Sequence, residues 1–317
     1  MQTRRHASPA VRIAKYAALG AAALVLALLA LVRPDLPPQE LVAQYGGPPS
    51  RFVTVAGVNV HYRDQGQGPV LVLLHGLNAS LHTWEGWVAE LSRDHRVISV
   101  DLPGHGLTGP RPDGRYATAD MVAFVDALVR TLGVARFSLA GNSMGGGIAW
   151  RYALLHPDRV DKLILVDAVG YPREESPPLV LRLASVPGLG RLMALCTPRF
   201  LVAASLRQVY GDPARVTEPL VTRYYDLLRR QGNRGATRAI LLSLWSEDAA
   251  AEIPRVRAPT LILWGSKDTW ILPKYGAYFR RDLPHATLRV YEGLGHTPME
   301  EDPAATARDV RAFLQGG

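Results

Sequence analysis

A single cysteine, Cys196, in 317 residues leaves no partner for an intramolecular disulfide and no thiolate set for a metal. A lone thiol fits either redox compartment and is expected to pack rather than react. The nine histidines fall into no zinc-like spacing, so no metal is expected. Internal repeats and low-complexity tracts are lacking too. A basic cluster interleaved with aromatics is also absent from the body of the chain. The net charge is +8, but residues 1–33 hold five Lys or Arg and no acid, leaving 31 basic against 28 acidic residues elsewhere. A nucleic-acid partner is therefore not expected, and the basic excess reads as an N-terminal topology signal.

A glycine fingerprint is present but misplaced. Gly104-His105-Gly106-Leu107-Thr108-Gly109 matches G-x-G-x-x-G and follows an apolar strand, Val97–Val100. Pro110-Arg111-Pro112-Asp113-Gly114 comes next and opens no helix, so the dinucleotide reading fails and the segment reads as a turn bordering a site. No cofactor is expected.

Tyr16 to Val32 carries no charge over 17 residues and follows Arg4, Arg5, Arg12 and Lys15. As a helix it spans about 26 Å, close to the ~30 Å hydrocarbon core, with Ile13, Ala14 and a snorkelling Lys15 making up the difference. Its end, Leu28-Leu29-Ala30-Leu31-Val32-Arg33, lacks a clean small-x-small cleavage site, which favours an uncleaved anchor over a signal peptide. Basic residues stay cytoplasmic, so the expectation is a single-pass protein with its body on the non-cytoplasmic side. Secretion after signal cleavage is the alternative.

Near the middle, Phe137-Ser138-Leu139-Ala140 runs into Gly141-Asn142-Ser143-Met144-Gly145 and then into a helix-like stretch. A serine between glycines at a strand-to-helix junction is the pattern of a nucleophile elbow, where a sharp turn holds the hydroxyl clear of the sheet and side chains alongside would clash. Met144 follows the serine at the helix N-terminus, where its backbone N–H can face an oxyanion.

Such a serine needs a base, and the base an orienting acid. Thr260–Gly265 reads as a strand that ends in Ser266-Lys267-Asp268, and Ala286–Tyr291 as another whose exit loop delivers His296. Loops at the C-terminal ends of parallel strands converge in space, so Ser143, Asp268 and His296 can meet. A second oxyanion donor is expected from Leu77, after the strand Pro69–Leu74 and the turn His75-Gly76. Two rivals are visible: His75 for the base, better read as bracing its loop, and Asp167 for the acid, which also lies past a strand end. Asp268 is preferred because its loop directly precedes that of His296.

His75-Gly76, Asp101-Leu102-Pro103-Gly104-His105-Gly106, Gly141–Gly146, Trp264-Gly265-Ser266-Lys267-Asp268 and Gly295-His296-Thr297-Pro298-Met299-Glu300 together resemble the α/β-hydrolase fold superfamily. The resemblance implies a mostly parallel sheet flanked by helices, with Ser143 as nucleophile, His296 as base, Asp268 as acid, and Leu77 and Met144 as oxyanion-hole residues. Serine at the elbow departs from the epoxide hydrolases and haloalkane dehalogenases, which carry Asp there. The elbow is similar to that of the meta-cleavage-product hydrolases. Leu77-Asn78-Ala79-Ser80 and Thr297 depart from that branch, and the hydrophobic N-terminus looks closer to membrane-anchored monoacylglycerol lipases and carboxylesterases.

The expected organisation is a basic tail (1–15), a transmembrane helix (16–32), a Pro/Gly-rich linker (33–50), an α/β core (51–171 and 250–317) and a helical cap (172–249). In the cap, short helices are expected over Leu179–Leu183, Phe200–Tyr210 and Val221–Arg230. Leu189, Leu192, Met193, Leu195, Leu201, Leu241, Leu242, Leu244 and Trp245 could line an acyl pocket or pack the cap on the core, while Arg191, Arg199 and Arg207 read as a solvated face. The function expected is a serine hydrolase of lipid-like or otherwise apolar carboxylic esters. A carbon–carbon hydrolase, a cofactor-free perhydrolase and a non-enzymatic binding protein on the same fold are the alternatives; substrate and oligomeric state are not legible.

Overall fold

Continuous apolar runs such as Val70-Leu71-Val72-Leu73-Leu74 and Thr260-Leu261-Ile262-Leu263 suit strands covered on both faces. In the computed structural model, which describes residues 15–22, 32–176, 182, 186, 188–190, 195–244 and 249–316, they lie at the centre of one sheet. Its strands are β1 (Ser50–Val55), β2 (Val58–Gln65), β3 (Val70–Leu74), β4 (Arg96–Val100), β5 (Phe137–Asn142), β6 (Val160–Val166), β7 (Thr260–Gly265) and β8 (Ala286–Tyr291). Their order is β1-β2-β4-β3-β5-β6-β7-β8. The opening hairpin β1–β2 and the β2–β4 pair are antiparallel, and the remaining neighbours are parallel.

Successive strand residues point to opposite faces, and two cores result. Val72, Leu74, Ile98 and Leu139 join the cluster built with helices α3 (Thr118–Thr131), α4 (Met144–Leu155) and α8 (Pro273–Asp282). Leu71, Leu73, Val97 and Ala140 join Trp84, Trp87 and the helices α2 (Glu85–Leu91) and α9 (Pro303–Gln315). Between β6 and β7 the chain forms α5 (Arg199–Val209), α6 (Glu218–Leu228) and α7 (Asn233–Leu244). Thr217 caps α6 by accepting the Leu220 N–H, and Pro219 fits its first turn. The helix expected over Leu179–Leu183 falls mostly outside the described residues.

The stretch 33–50 is more than a linker. Helix α1 (Pro38–Tyr45) begins on Pro38 and buries Leu41 against Leu107 and Leu227. Asp35 pairs with Arg234 at 2.6 Å, the Pro34 carbonyl accepts from Arg229, and Leu36 bridges to Arg230. Prolines that read as spacer instead set a helix start and a docked strap. Of the expected anchor, residues 16–22 are helical and 23–31 lie outside the described residues, as do residues 1–14. Among the described residues, no helix is long and apolar enough to cross a membrane.

Candidate active site

Between β5 and α4 the backbone turns at Ser143 with φ 54° and ψ −117°, a conformation costly for a residue with a side chain. Three hydrogen bonds hold it: Ser143 N–H donates to Val166 O (2.9 Å), and Ser143 O accepts from Gly147 (3.1 Å) and Val169 (3.0 Å). The turn also requires its glycines, since a Cβ on Gly145 would stand 2.2 Å from the Leu74 carbonyl oxygen. Met144 is the first residue of α4, where the N–H has no intrahelical acceptor.

His296 follows β8 and is fixed from two sides. Its N–H donates to Val209 O at the end of α5 (2.7 Å), and its carbonyl accepts from Asn142 Nδ2 (3.0 Å), which also reaches Val166 O (3.1 Å). Asn142, the variable residue of the motif, thus ties the histidine loop to the elbow. His296 Nδ1 and Asp268 Oδ2 are 2.7 Å apart, while Asp268 Oδ1 accepts from Trp270 (2.7 Å) and Ile271 (3.0 Å) N–H groups. Both side chains are buried. With the Nδ1 proton directed at Asp268, Nε2 is the ring atom left to accept a proton.

Asp167, the rival acid, ends β6 with φ 44° and is wholly buried. Its Oδ1 accepts the Gly265 N–H (3.0 Å), and polar atoms of Asp167, Asp268 and His296 all lie within 4.8 Å of one another. Burial first, and then the neighbouring Asp268 charge, push its pKa well above the usual carboxylate range. Asp167 is therefore biased towards its neutral form beside Asp268, and it is Asp268 that faces His296. Two carboxyls and an imidazole form a possible cation donor set, but His296 Nδ1 and both Asp268 oxygens are committed to hydrogen bonds.

His75 does brace its loop: Nδ1–H donates to Gly76 O (2.7 Å) and Nε2 accepts the Leu102 N–H (3.0 Å). The Gly104–Gly109 turn is fastened by Asp101, whose oxygens accept from Leu81 and Leu107 N–H and meet His61 Nδ1 at 2.7 Å. Burial raises the Asp101 pKa, but His61 outweighs it, and the carboxyl is held far below its usual range.

Ser143, His296, Leu77 and Met144 open on a cavity of about 430 Å³, while Asp268 sits behind His296. Of the apolar residues expected in the cap, Leu189, Leu201 and Leu241 line this cavity. Leu195 and Leu242 are exposed, and Leu192, Met193, Trp245 and the Leu244 side chain lie outside the described residues. Arg199 bonds Thr222 and pairs with Glu218, while Arg191 lies outside the described residues. Sequence reading missed Arg173, Arg234 and Arg238, which line the cavity and carried no motif. It also missed Glu300 and Glu301. Glu300 accepts from Tyr224 (2.9 Å) and Thr83 (3.3 Å), and Glu301 from Gly295 (2.7 Å) and Gly211 (2.8 Å), joining the histidine loop to the cap.

Comparison with known proteins bears on the fold that carries these residues. The profile described as alpha/beta hydrolase fold matches residues 69–303. The chain is 31% identical over 290 residues to a 2-hydroxy-6-oxononadienedioate/2-hydroxy-6-oxononatrienedioate hydrolase of Burkholderia vietnamiensis, covering 84% of this chain and 96% of the relative. It is 32% identical over 262 residues to a pimeloyl-[acyl-carrier protein] methyl ester esterase of Nitrosomonas europaea, covering 77% and 95%. Among solved structures, a membrane phospholipase A described as a bacterial virulence factor superposes with a TM-score of 0.74 at 26% identity, over 98% of this chain and 99% of the other.

Proposed function

The chain belongs to the α/β-hydrolase fold family, and on that basis we propose that it is a serine hydrolase cleaving carboxylic esters of apolar acids through an acyl-enzyme. One observation carries this reading: the strained Ser143 turn and the Asp268–His296 pair meet at a single, mainly apolar cavity. In the mechanism, Ser143 Oγ attacks the ester carbonyl as His296 Nε2 takes its proton, and Asp268 stabilises the resulting imidazolium. The Leu77 and Met144 N–H groups receive the oxyanion; one such donor is typically worth ~3–4 kcal/mol. His296 then protonates the leaving alcohol; water next attacks the acyl carbonyl as His296 takes its proton, and return of that proton to Ser143 Oγ breaks the acyl–serine bond and releases the acid.

The lipid-like preference rests on Leu189, Leu201, Val202, Leu206, Leu241 and Trp270 around the cavity. Hydrolysis of p-nitrophenyl esters of graded length tests it: the optimum is expected beyond the shortest acids, and much faster turnover of acetate would sink the preference.

A second reading, hydrolysis of a carbon–carbon bond, is favoured by the likeness to the Burkholderia dienedioate hydrolase. It requires Ser143-dependent loss of a coloured dienol substrate. We also propose that residues 16–32 anchor the protein with its body on the non-cytoplasmic side. The uncharged run supports this, as does the likeness to a membrane phospholipase A over 98% of this chain. Release of the full-length protein from membranes by a carbonate wash would contradict it.

A further inference from the structure

An acyl chain needs only apolar walls, yet this cavity also carries the guanidinium side chains of Arg173, Arg234 and Arg238, and no Asp or Glu is among the described residues that line it. Two of the three have partners in place. Arg234 is neutralised by Asp35 and donates to the Arg33 and Leu195 carbonyls, and Arg173 donates to Trp270 O at 2.5 Å. The Arg173 Nε is itself buried without an acceptor among the described residues, but its Nη1 is engaged; Arg238 differs in that its Nε is buried without an acceptor and no hydrogen bond or ion pair joins its guanidinium to any described residue. The adjacent Thr237 Oγ1, on the same helix α7 and lining the same cavity, is buried without a partner among the described residues as well. A buried Nε–H and a buried hydroxyl without acceptors are costly, and the cost is relieved when a ligand brings the acceptor. An anion matches both groups at once, through a charge-assisted bond from the guanidinium and an ordinary one from the hydroxyl.

We propose that Arg238 and Thr237 form an anion subsite on the cap wall of the cavity, which takes a carboxylate or phosphate carried by the substrate at a point other than its scissile carbonyl. The proposal rests on the hydrolase reading for the word substrate, but not for binding. The preferred ester is then an amphiphile with an apolar acyl segment and one anionic group, held at two places: Ser143 in the core and Arg238 in the cap. Holding both ends fixes the carbonyl at the nucleophile, which is how remote binding energy serves the chemical step.

The test uses the full-length protein in detergent, with Ser143→Ala introduced so that esters bind without being cleaved. Calorimetry compares mono-p-nitrophenyl suberate, which carries a free carboxylate, with its neutral methyl ester. The anionic ester is expected to bind at least ~10-fold more tightly, as one charge-assisted hydrogen bond predicts. Adding Arg238→Gln should erase that preference while leaving the neutral ester unchanged, and Arg238→Lys should restore part of it. Octyl phosphate, run against octanol and inorganic phosphate, shows whether phosphate is taken as well as carboxylate and whether it must be borne by an apolar chain. Equal affinity for the two suberates, or a preference that survives Arg238→Gln in folded protein, would overturn the proposal. Turnover by the Ser143 protein is a separate readout: an anion-selective protein that cleaves neither ester keeps the subsite and loses the hydrolase reading.

Discussion

At the residue scale, Asp268, the acid proposed for catalysis, is one of two buried carboxyls, and the two stand in different surroundings. Asp268 faces His296 and two backbone N–H groups, whereas burial, and then Asp268 itself, push the Asp167 pKa well above the usual carboxylate range. Asp268→Asn removes the charge that stabilises the imidazolium and should lower kcat by ~10³–10⁴. Asp167→Asn replaces the carboxyl with a neutral group of similar shape in a residue type that tolerates φ 44°, and should keep kcat within about tenfold of the parent. Steady-state kinetics on one ester separates the two, and the reverse ranking would make Asp167 the acid. Ser143, Asp268 and His296 were legible in the sequence because each sits in a motif at a strand end. The raised pKa of Asp167 was not, because burial, its larger cause, and the approach of Asp268 from 101 positions away are both products of the fold. Arg238 was equally hidden, since its significance lies in what fails to surround it.

At the scale of elements, legibility follows periodicity. The central strands were readable because apolar runs are local. The cap helices α5 and α6 were readable to within a few residues, but which of their faces meets the cavity depends on packing that no local pattern encodes. The strap at 33–46 escaped for a related reason: three of its prolines suggested a spacer, whereas Leu41 makes it a docked element. Leu41 is 1% exposed, so Leu41→Ala should cost ~2–4 kcal/mol in chemical denaturation. A loss well below 1 kcal/mol would show that the strap does not hold the cap to the core.

At the scale of the whole molecule, buried titratable groups pull stability in opposite directions with pH. His75, His82 and His105 are kept neutral chiefly by burial, with the His82 pKa lowered to about 4 and that of His105 to about 3. The unfolded chain binds protons at these sites below about pH 6.5 and the folded chain does not, so their contribution is present above that pH and is lost as the pH falls towards the folded values. Asp167 and Glu300, both raised mainly by burial, act in the opposite sense: their contribution is present at low pH and is lost as the pH rises. A variant comparison isolates one group. Between pH 6.5 and 4, the stability of the parent should fall more steeply than that of His105→Gln, and parallel curves would show that His105 titrates alike in both states.

The account stands on Ser143 being an activated nucleophile. Reaction of the full-length protein with an alkyl fluorophosphonate, followed by intact mass and peptide mapping, tests this most directly. One adduct per chain on Ser143 is predicted, with ester hydrolysis abolished in step and both signals absent from Ser143→Ala. Folded protein that forms no adduct, or hydrolysis that persists in Ser143→Ala, would contradict the assignment.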